Sequence, residues 1–415
     1  MNTGAGRTRA IENEGTLVPP AVRRHVLVAV CIGSLLIVGL TEVVRPYAHG
    51  LSLVVRAAGV RGVSGRLADL DAVAEVEWLV SVPLHDSSMR ARVYAPLRAS
   101  RQTVLLVSGL HPAGIDEPRL VSLSRELART NVTVVTPEIE ELSRFEITPL
   151  LTDRIERAAV WLAVESGLAA TGRIGMIGVS FSGGLSVVAA GRPSLRNHVR
   201  YVLSFGGHDD LPRVLRYFCT ASEPAVSGDH SLTPRTSAAQ RPPHDYGLAI
   251  ALLSIADQLV PAEQVPALRD GVRRFLWASY VARLEQAQAQ LEFAALEELA
   301  RTLPEPSATL LDHVNRRDVA NLGRRLLPYF DVYGNAAALS PSRSPDPSAP
   351  VFLLHGRDDN VIPAIESEYL AARLREHVPV RLLVTDLISH AETDQPAHLI
   401  DVLQLGGFWA DLLAR

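Results

Sequence analysis

The segment from Arg173 to Gly184, R-I-G-M-I-G-V-S-F-S-G-G, constrains the fold more than any other part of this sequence. Its first half is a short apolar run led by β-branched residues, which is typical of a strand buried on both faces of a parallel sheet. Ser180 follows the run directly, and small residues after it allow a helix to begin at once. The segment therefore predicts a strand, a tight turn at Ser180 and a helix.

The residues around the serine form the pattern G-x-S-x-S, with Gly178 two positions before Ser180 and Ser182 two positions after it. A strained turn that exposes a nucleophilic serine requires small residues at these two positions. An ordinary helix start with a serine N-cap gives the same pattern. If the turn were shifted by two residues, Ser182 would be the exposed serine. The motif alone does not distinguish these interpretations, and features elsewhere in the chain are needed to choose between them.

Composition and charge exclude several classes of function. The chain has 415 residues, of which 47% are hydrophobic and 21% charged, as in globular proteins with one large domain or two. The net charge of -4 gives no reason to expect a nucleic-acid partner. All 41 cationic side chains are arginine. Schiff-base chemistry, pyridoxal chemistry and a serine-lysine dyad are excluded, because each requires a lysine amine.

The N-terminal region contains a candidate membrane anchor. Residues 1–22 are polar and small and predict a flexible tail, whereas Val26 to Leu40 carry no charge. We expect a single-pass transmembrane anchor at 23–45, although the run is shorter than the ~20 residues that span a bilayer comfortably. A cleaved signal peptide is the rival interpretation. The arginines before the run slightly favour a cytoplasmic N-terminus, which would place the remaining chain outside the cytoplasm.

After a connector at 46–73, strands and helices alternate, and this alternation predicts a parallel sheet. An antiparallel hairpin around the turn 85–88 opens the folded region. Further strands are predicted at 103–109, 131–137, 199–205, 350–355 and 380–385, besides the strand before Ser180. Helices are predicted at 118–129, 149–167, 182–190, 364–376 and 396–413.

The alternation breaks at 211–345, a segment rich in helix formers that we expect to form a helical cap over the sheet. Gly247 to Leu259 is nearly all apolar but too short to span a membrane, so burial inside the cap is expected. One helix should bury a stripe at helical spacing. That stripe consists of Leu284, Ala287, Leu291, Ala295 and Leu299.

The serine motif and the alternating pattern together resemble the α/β-hydrolases, with the esterase and dienelactone-hydrolase branches closest. The resemblance covers about 74–413 apart from the cap. It implies a mostly parallel eight-stranded sheet flanked by helices, with the core in two parts at 74–210 and 346–415. In this family a serine, an acid and a histidine follow one another along the chain.

The resemblance also implies the catalytic residues. H-G-R-D-D-N-V-I-P at 355–363 is similar to the family's acid loop, whose spacing selects Asp359 over Asp358. His390 follows the last strand, where the family places its base. Ser180 would be the nucleophile, His390 its base, and Asp359 the carboxylate that orients the imidazole. The backbone N–H groups of Phe181 and Leu110 would form the oxyanion hole.

Two departures from the family pattern concern histidines. Ser108-Gly109 stands where the family has His-Gly, and His111 lies two residues further on. His111 and His208 are candidate pocket residues, although a solvated loop position for His111 is left open. The cluster at 208–210 predicts no metal site, because adjacent side chains point in different directions. Nothing in the sequence requires a cofactor.

The resulting hypothesis is a membrane-anchored serine hydrolase that cleaves carboxylic esters of small-molecule or lipid-like acyl groups through an acyl-enzyme. Amide hydrolysis, thioester hydrolysis and acyl transfer use the same machinery and stay open. A catalytically silent α/β-hydrolase-like domain that binds a ligand or a protein is the alternative from another class.

Overall fold

The computed structural model describes residues 44–220, 243–330, 333–388 and 399–415. Eight strands form one sheet. In chain order, β1 to β8 are Glu75–Pro83, Ser88–Pro96, Gln102–Val107, Val132–Pro137, Ile174–Val179, Val199–Phe205, Val351–Gly356 and Val380–Thr385. The predicted strands are confirmed.

Helices connect most of the strands. Helix α1 occupies residues 44–57. Helices α2 to α7 are Val63–Asp69, Pro118–Arg129, Glu140–Ser143, Leu150–Val160, Phe181–Ala190 and Leu211–Thr220. Helices α8 to α14 are Asp245–Leu259, Val265–Val281, Gln286–Thr302, Ser307–Asn315, Val319–Leu326, Ile365–Leu374 and Leu399–Leu413. The helix expected at 149–167 is α5 continued by a π-helical turn, Trp161–Glu165.

The strand order in the sheet is β1-β2-β4-β3-β5-β6-β7-β8. Strand β2 pairs antiparallel with β1 and β4, and the remaining neighbours pair in parallel. The eight-stranded, mostly parallel sheet is therefore confirmed. Because the carboxyl ends of parallel strands meet at one edge of a sheet, the loops after β3, β5, β6 and β7 all emerge at the same edge.

Each face of the sheet has its own hydrophobic core. One core joins the sheet to α1, α3 and α14, and Leu53, Leu127 and Phe408 are among its buried members. The other joins the opposite face to α5, α6, α13 and the helices that follow β6. Strands β3, β4 and β7 are buried along their whole length, as their continuous apolar runs require.

The segment expected to form the cap contributes helices α7 to α12, all between β6 and β7. Helix α8 is buried along most of its length, as expected. The stripe predicted for α10 is wrong, because Leu284 and Leu291 are 67% and 74% exposed. The fully buried residues of α10 are Ala289, Leu296 and Ala300. Helix α10 packs against both α9 and α11, and small side chains on its inner face allow these neighbours to approach closely.

The two ends of the cap segment meet at the sheet. The backbone N–H of Leu211, at the start of α7, donates to Ser340 Oγ at 2.9 Å. Just before Ser340, the carbonyl of Ala338 accepts a hydrogen bond from Thr152 Oγ1 of α5 at 2.6 Å. The chain therefore leaves the sheet for the cap and returns to it at one place.

The predicted anchor at 23–45 lies outside the described residues except for its last two positions. The connector expected at 46–73 is largely helical, because it contains most of α1 and all of α2. Within the described ranges, we find no helix that combines the length and the apolar character needed to cross a bilayer.

Candidate active site

Ser180 lies on a strained turn between β5 and α6. Its backbone has φ 55° and ψ -130°, a conformation that residues with a side chain rarely adopt and that costs about 1–3 kcal/mol. The N–H of Ser180 donates to the carbonyl of Phe205 on β6 at 2.7 Å, which fixes the turn to the neighbouring strand. The Ser180 hydroxyl makes no capping hydrogen bond to α6, so the interpretation as an ordinary N-cap is wrong.

The turn also depends on the glycine before the serine. A Cβ built on Gly178 would lie 2.1 Å from the carbonyl oxygen of Ser182 and 2.5 Å from Ser186 Oγ. Glycine is therefore required at this position, because real Cβ atoms do not approach other atoms so closely. A parallel sheet with its central strand running into this strained serine turn is the arrangement that the sequence motif predicted. The chain has an α/β-hydrolase fold.

The loop after β3, which was predicted to contribute the Leu110 N–H to an oxyanion hole, lies against Ser180. A Cβ on Gly109 would lie 3.2 Å from Ser180 Cβ and 3.3 Å from the carbonyl oxygen of Val179. Bare backbone therefore approaches Ser180. Ser182 Oγ donates to the carbonyl of Ser108 at 2.6 Å and ties this loop to α6.

The same loop is contacted from the other side by the cap. The hydroxyl of Tyr246 on α8 donates to the carbonyl of Leu110 at 2.9 Å. The ring edge of His111 meets the ring of Tyr280 on α9, with centroids 4.7 Å apart and planes at 84°. His111 is consequently half-buried beneath the cap rather than solvated.

His111 is neutral at physiological pH. Burial lowers its pKa to about 4. Its Nδ1 accepts a hydrogen bond from the N–H of Ala113 at 3.2 Å, so in the neutral ring the proton is on Nε2. This contact shapes the turn that follows Leu110.

His208 lies behind the serine turn and is fully buried, so it packs rather than lining an open pocket. Its ring stacks on that of Phe181, with centroids 4.9 Å apart and planes at 8°. Its Nε2 donates to the carbonyl of Leu339 at 2.7 Å, and burial lowers its pKa. A neutral ring therefore supports the residue whose N–H was predicted to stabilise the oxyanion.

Asp209 and Asp210 take part in a buried network of ion pairs. Glu366 on α13 is 1% exposed and accepts from the backbone N–H groups of both aspartates at 3.0 Å. Arg213 on α7 pairs with Glu366 at 2.5 Å and with Asp209 at 3.2 Å. Burial raises the pKa of Asp209 despite nearby arginines. These contacts join the first cap helix, α7, and the loop before it to α13.

Asp359 follows β7 and is buried, whereas its neighbour Asp358 is exposed. Oδ1 of Asp359 accepts from the N–H groups of Val361 and Ile362 at 2.9 and 3.0 Å. Its Oδ2 lies 3.3 Å from Nε2 of His355, a fully buried ring. The structure thus holds one of the two candidate carboxylates in a fixed position.

His390 and the residues around it, 389–398, lie outside the described part of the chain. Strand β8, which leads to that segment, pairs with β7, which leads to Asp359. Ser180 and Asp359 follow strands that are separated in the sheet by β6 alone. The structure therefore places two of the three predicted catalytic residues at one edge, and the role of His390 stays a prediction.

Sequence reasoning missed several residues that support the site. His355 belongs to the same motif as Asp359. Its position two residues before the exposed part of that loop was the signal that could have identified it as a supporting residue. Its Nε2 donates to the carbonyl of Ile362 at 2.8 Å, and its Nδ1 contacts Ser367 Oγ at 2.7 Å. Tyr246 and Tyr280 carry no local signal, because their contacts arise only from the folding of the cap.

Comparisons with known proteins give the following results. No family model matches the sequence, and a search of curated proteins finds no match. An arylesterase structure has 14% identity and a TM-score of 0.46, covering 89% of this chain and 98% of its own. A hyperthermophilic esterase from Pyrobaculum calidifontis has 15% identity and a TM-score of 0.43, with coverage of 90% and 94%.

A dienelactone hydrolase from Anabaena variabilis is similar at 16% identity and a TM-score of 0.38, with 81% of this chain and 96% of its own covered. These identities and TM-scores are low. The α/β-hydrolase fold therefore rests on the strand order and on the turn at Ser180.

Proposed function

We propose that this protein is a serine hydrolase that cleaves carboxylic esters through an acyl-enzyme. The observation that carries the proposal is the strained, partly exposed Ser180 with a bare backbone loop against it. Strain of this kind persists only where the surrounding structure enforces it, and it concentrates at functional sites. A binding domain without catalysis has no need of a serine in this conformation.

In the proposed reaction, the imidazole of His390 removes the proton from Ser180 Oγ as that oxygen attacks the ester carbonyl. The carbonyl oxygen becomes negatively charged and is stabilised by the N–H groups of Phe181 and Leu110. His390 then returns the proton to the departing alcohol, which leaves an acyl-serine. Water attacks the acyl group by the same steps in reverse, and Asp359 keeps the imidazole oriented throughout.

The cap is proposed to restrict which acyl groups reach the serine, because α8 and α9 contact the loop beside it. We expect small-molecule or lipid-like acyl substrates. The same serine machinery would serve an amidase, a thioesterase or an acyltransferase, which differ in leaving group and in access of water. A panel of ester, amide and thioester substrates with the same acyl group distinguishes these activities.

We also propose that the protein is anchored at a membrane by residues 23–45, with the hydrolase domain outside the cytoplasm. Support comes from the uncharged run Val26 to Leu40 and from the apolar residues near it. On α2 and just after it, Val63, Leu67 and Leu70 are 74%, 61% and 81% exposed. An exposed apolar face that follows a predicted anchor in the sequence fits a helix that lies on a bilayer surface.

Fractionation tests the anchor. The full chain should remain with membranes after alkaline carbonate extraction, and its N-terminal residue should be retained. A mature chain that begins after residue 40 would show instead that the segment is a cleaved signal peptide. Digestion by protease added to intact cells, compared with lysed cells, tests the orientation.

Covalent labelling tests the hydrolase. The full chain, purified in detergent, should react with a fluorophosphonate at Ser180, as located by peptide mapping. Ser180→Ala should abolish labelling and reduce ester hydrolysis by roughly 10⁴-fold or more. Ser186→Ala is a matched control, because Ser186 is a buried serine of the same helix whose hydroxyl has no hydrogen-bond partner in the described structure. Labelling of Ser182 would move the nucleophile by two residues, and a folded protein that neither labels nor hydrolyses would support the silent binding domain.

A further inference from the structure

The peptide group between Gly109 and Leu110 is bracketed by two side-chain hydrogen bonds. It carries the Leu110 N–H that is proposed to contact the oxyanion. The peptide before it is held at the carbonyl of Ser108 by Ser182 Oγ, at 2.6 Å. The peptide after it is held at the carbonyl of Leu110 by the Tyr246 hydroxyl, at 2.9 Å.

The two hydrogen bonds come from different parts of the molecule. Ser182 belongs to α6, directly after the nucleophile, whereas Tyr246 belongs to cap helix α8 and is 136 positions from Leu110. Gly109 between them has no side chain that could hold the loop, because backbone and side-chain atoms of Val179 and Ser180 occupy the space around it. The orientation of the Gly109–Leu110 peptide therefore depends on its two neighbours.

Tyr246 is well suited to act as a permanent donor. Burial raises its pKa, so the hydroxyl keeps its proton over the physiological range. Its ring is held edge-on by Phe145, with centroids 5.8 Å apart and planes at 82°. A fixed ring gives the hydroxyl one position, and that position faces the carbonyl of Leu110.

We propose that Tyr246 is a positioning residue through which the cap orients the oxyanion-binding N–H of Leu110, with Ser182 as its counterpart on the core side. The inference rests on the proposed hydrolase function. It assigns the cap a second task besides substrate selection, since the catalytic loop is complete only when α8 is seated against it. Ser182, the last residue of the G-x-S-x-S pattern, thereby gains a role, because its hydroxyl donates to the carbonyl of Ser108.

Tyr246→Phe tests the proposal, since it removes the hydroxyl and keeps the ring. Tyr280→Phe is the matched control: Tyr280 also contacts this loop, but through its ring, and its hydroxyl makes no hydrogen bond to a described residue. The first readout is hydrogen exchange of the loop peptide spanning residues 108–113 in the full chain, which does not require activity. Exchange should be faster in Tyr246→Phe and unchanged in Tyr280→Phe.

The second readout is kinetic. Loss of an oxyanion donor costs about 10²–10³ in kcat, and misplacement of one donor should cost about tenfold. We expect kcat for p-nitrophenyl butyrate to fall about tenfold in Tyr246→Phe, with KM changed by less than about twofold. The fall in kcat should be smaller for the corresponding thionoester, because its sulfur is a weaker hydrogen-bond acceptor than oxygen. Ser182→Ala should show the same pattern.

The outcomes separate the two proposals. Unchanged loop exchange in Tyr246→Phe overturns the positioning role whatever the activity. Faster exchange with unchanged kcat, or equal losses on the oxygen and sulfur esters, also overturns it. A wild-type protein without hydrolysis or labelling overturns the proposed function, and loop exchange then still decides whether Tyr246 holds the loop.

Discussion

The loops after β5 and β7 both place a polar side chain at the carboxyl edge of the sheet, but different contacts hold them. The turn at Ser180 requires a residue without a side chain at position 178, because the backbone of Ser182 occupies the space that a Cβ on Gly178 would need. The loop at Asp359 depends on hydrogen bonds from Val361 and Ile362 and on the buried ring of His355. Added volume should therefore destabilise the first loop, whereas loss of the carboxylate charge should impair the proposed function of the second.

The largest expected effect tests the polar loop. Asp359→Asn keeps an oxygen that accepts from Val361 and Ile362 but removes the charge that would stabilise the His390 imidazolium. We expect kcat for ester hydrolysis to fall about 10⁴-fold, with the urea midpoint nearly unchanged. Asp358→Asn is the matched control, because that neighbour is exposed. Loss of activity in the control instead would reassign the acid.

The second effect tests the crowded turn. Gly178→Ala places a methyl group within contact of backbone that cannot move without displacing α6. Overpacking against backbone should lower the free energy of unfolding by about 3 kcal/mol, measured by urea denaturation. Gly407→Ala on α14 should change it by less than about 1 kcal/mol, because the nearest obstacle is the Tyr47 side chain at 3.2 Å. Equal effects at both glycines would show that the turn is not the tightly packed element described above.

The smallest effect concerns the loop after β3, which lies against the turn at Ser180 and carries the ring of His111. Burial lowers the pKa of His111 to about 4, against roughly 6.5 in the unfolded chain. At pH values between these two pKa values, the unfolded state binds more protons at His111 than the folded state does. The stability present above pH 6.5 is therefore lost as the pH falls toward 4. We expect a loss of about 2 kcal/mol from His111 between pH 7 and pH 5.

His111→Asn keeps an acceptor for the Ala113 N–H and removes the titrating ring, so its unfolding free energy should depend less steeply on pH. His85→Asn is the control, because the side chain of His85 is 96% exposed. If the two variants have the same pH dependence as the wild type, His111 is not buried in its neutral form.

Much of the sheet could be predicted because its strands are continuous apolar runs. The strand expected at 199–205 is β6 with the same bounds. The buried face of α10 could not be predicted from the sequence, because several faces of that helix carry apolar residues. Packing against α9 and α11 buries the face with Ala289 and Ala300, whereas Leu291 is exposed and Leu284 lies before the helix begins.

The candidate site also has one part that the sequence predicted and another that it did not. Ser180 and Asp359 were predictable because local motifs enclose them. The contact of Tyr246 with Leu110 joins residues 136 positions apart, and no local pattern encodes it. His208 was noticed as part of an acidic cluster, but its stacking on Phe181 depends on how β6 and α6 meet. Motifs thus identified the candidate residues, while the residues that support them required the tertiary structure.

The hydrogen bond between Leu211 and Ser340 has a consequence for how such a chain can evolve. Insertions whose ends lie close together can be exchanged, lengthened or removed without stretching the host framework. If the cap restricts substrates as proposed, substrate preference can diversify by replacement of this one segment while the sheet and Ser180 are inherited unchanged. The hydroxyl of Tyr246 sets a condition on that exchange, since any replacement module must supply its own contact to the loop it covers.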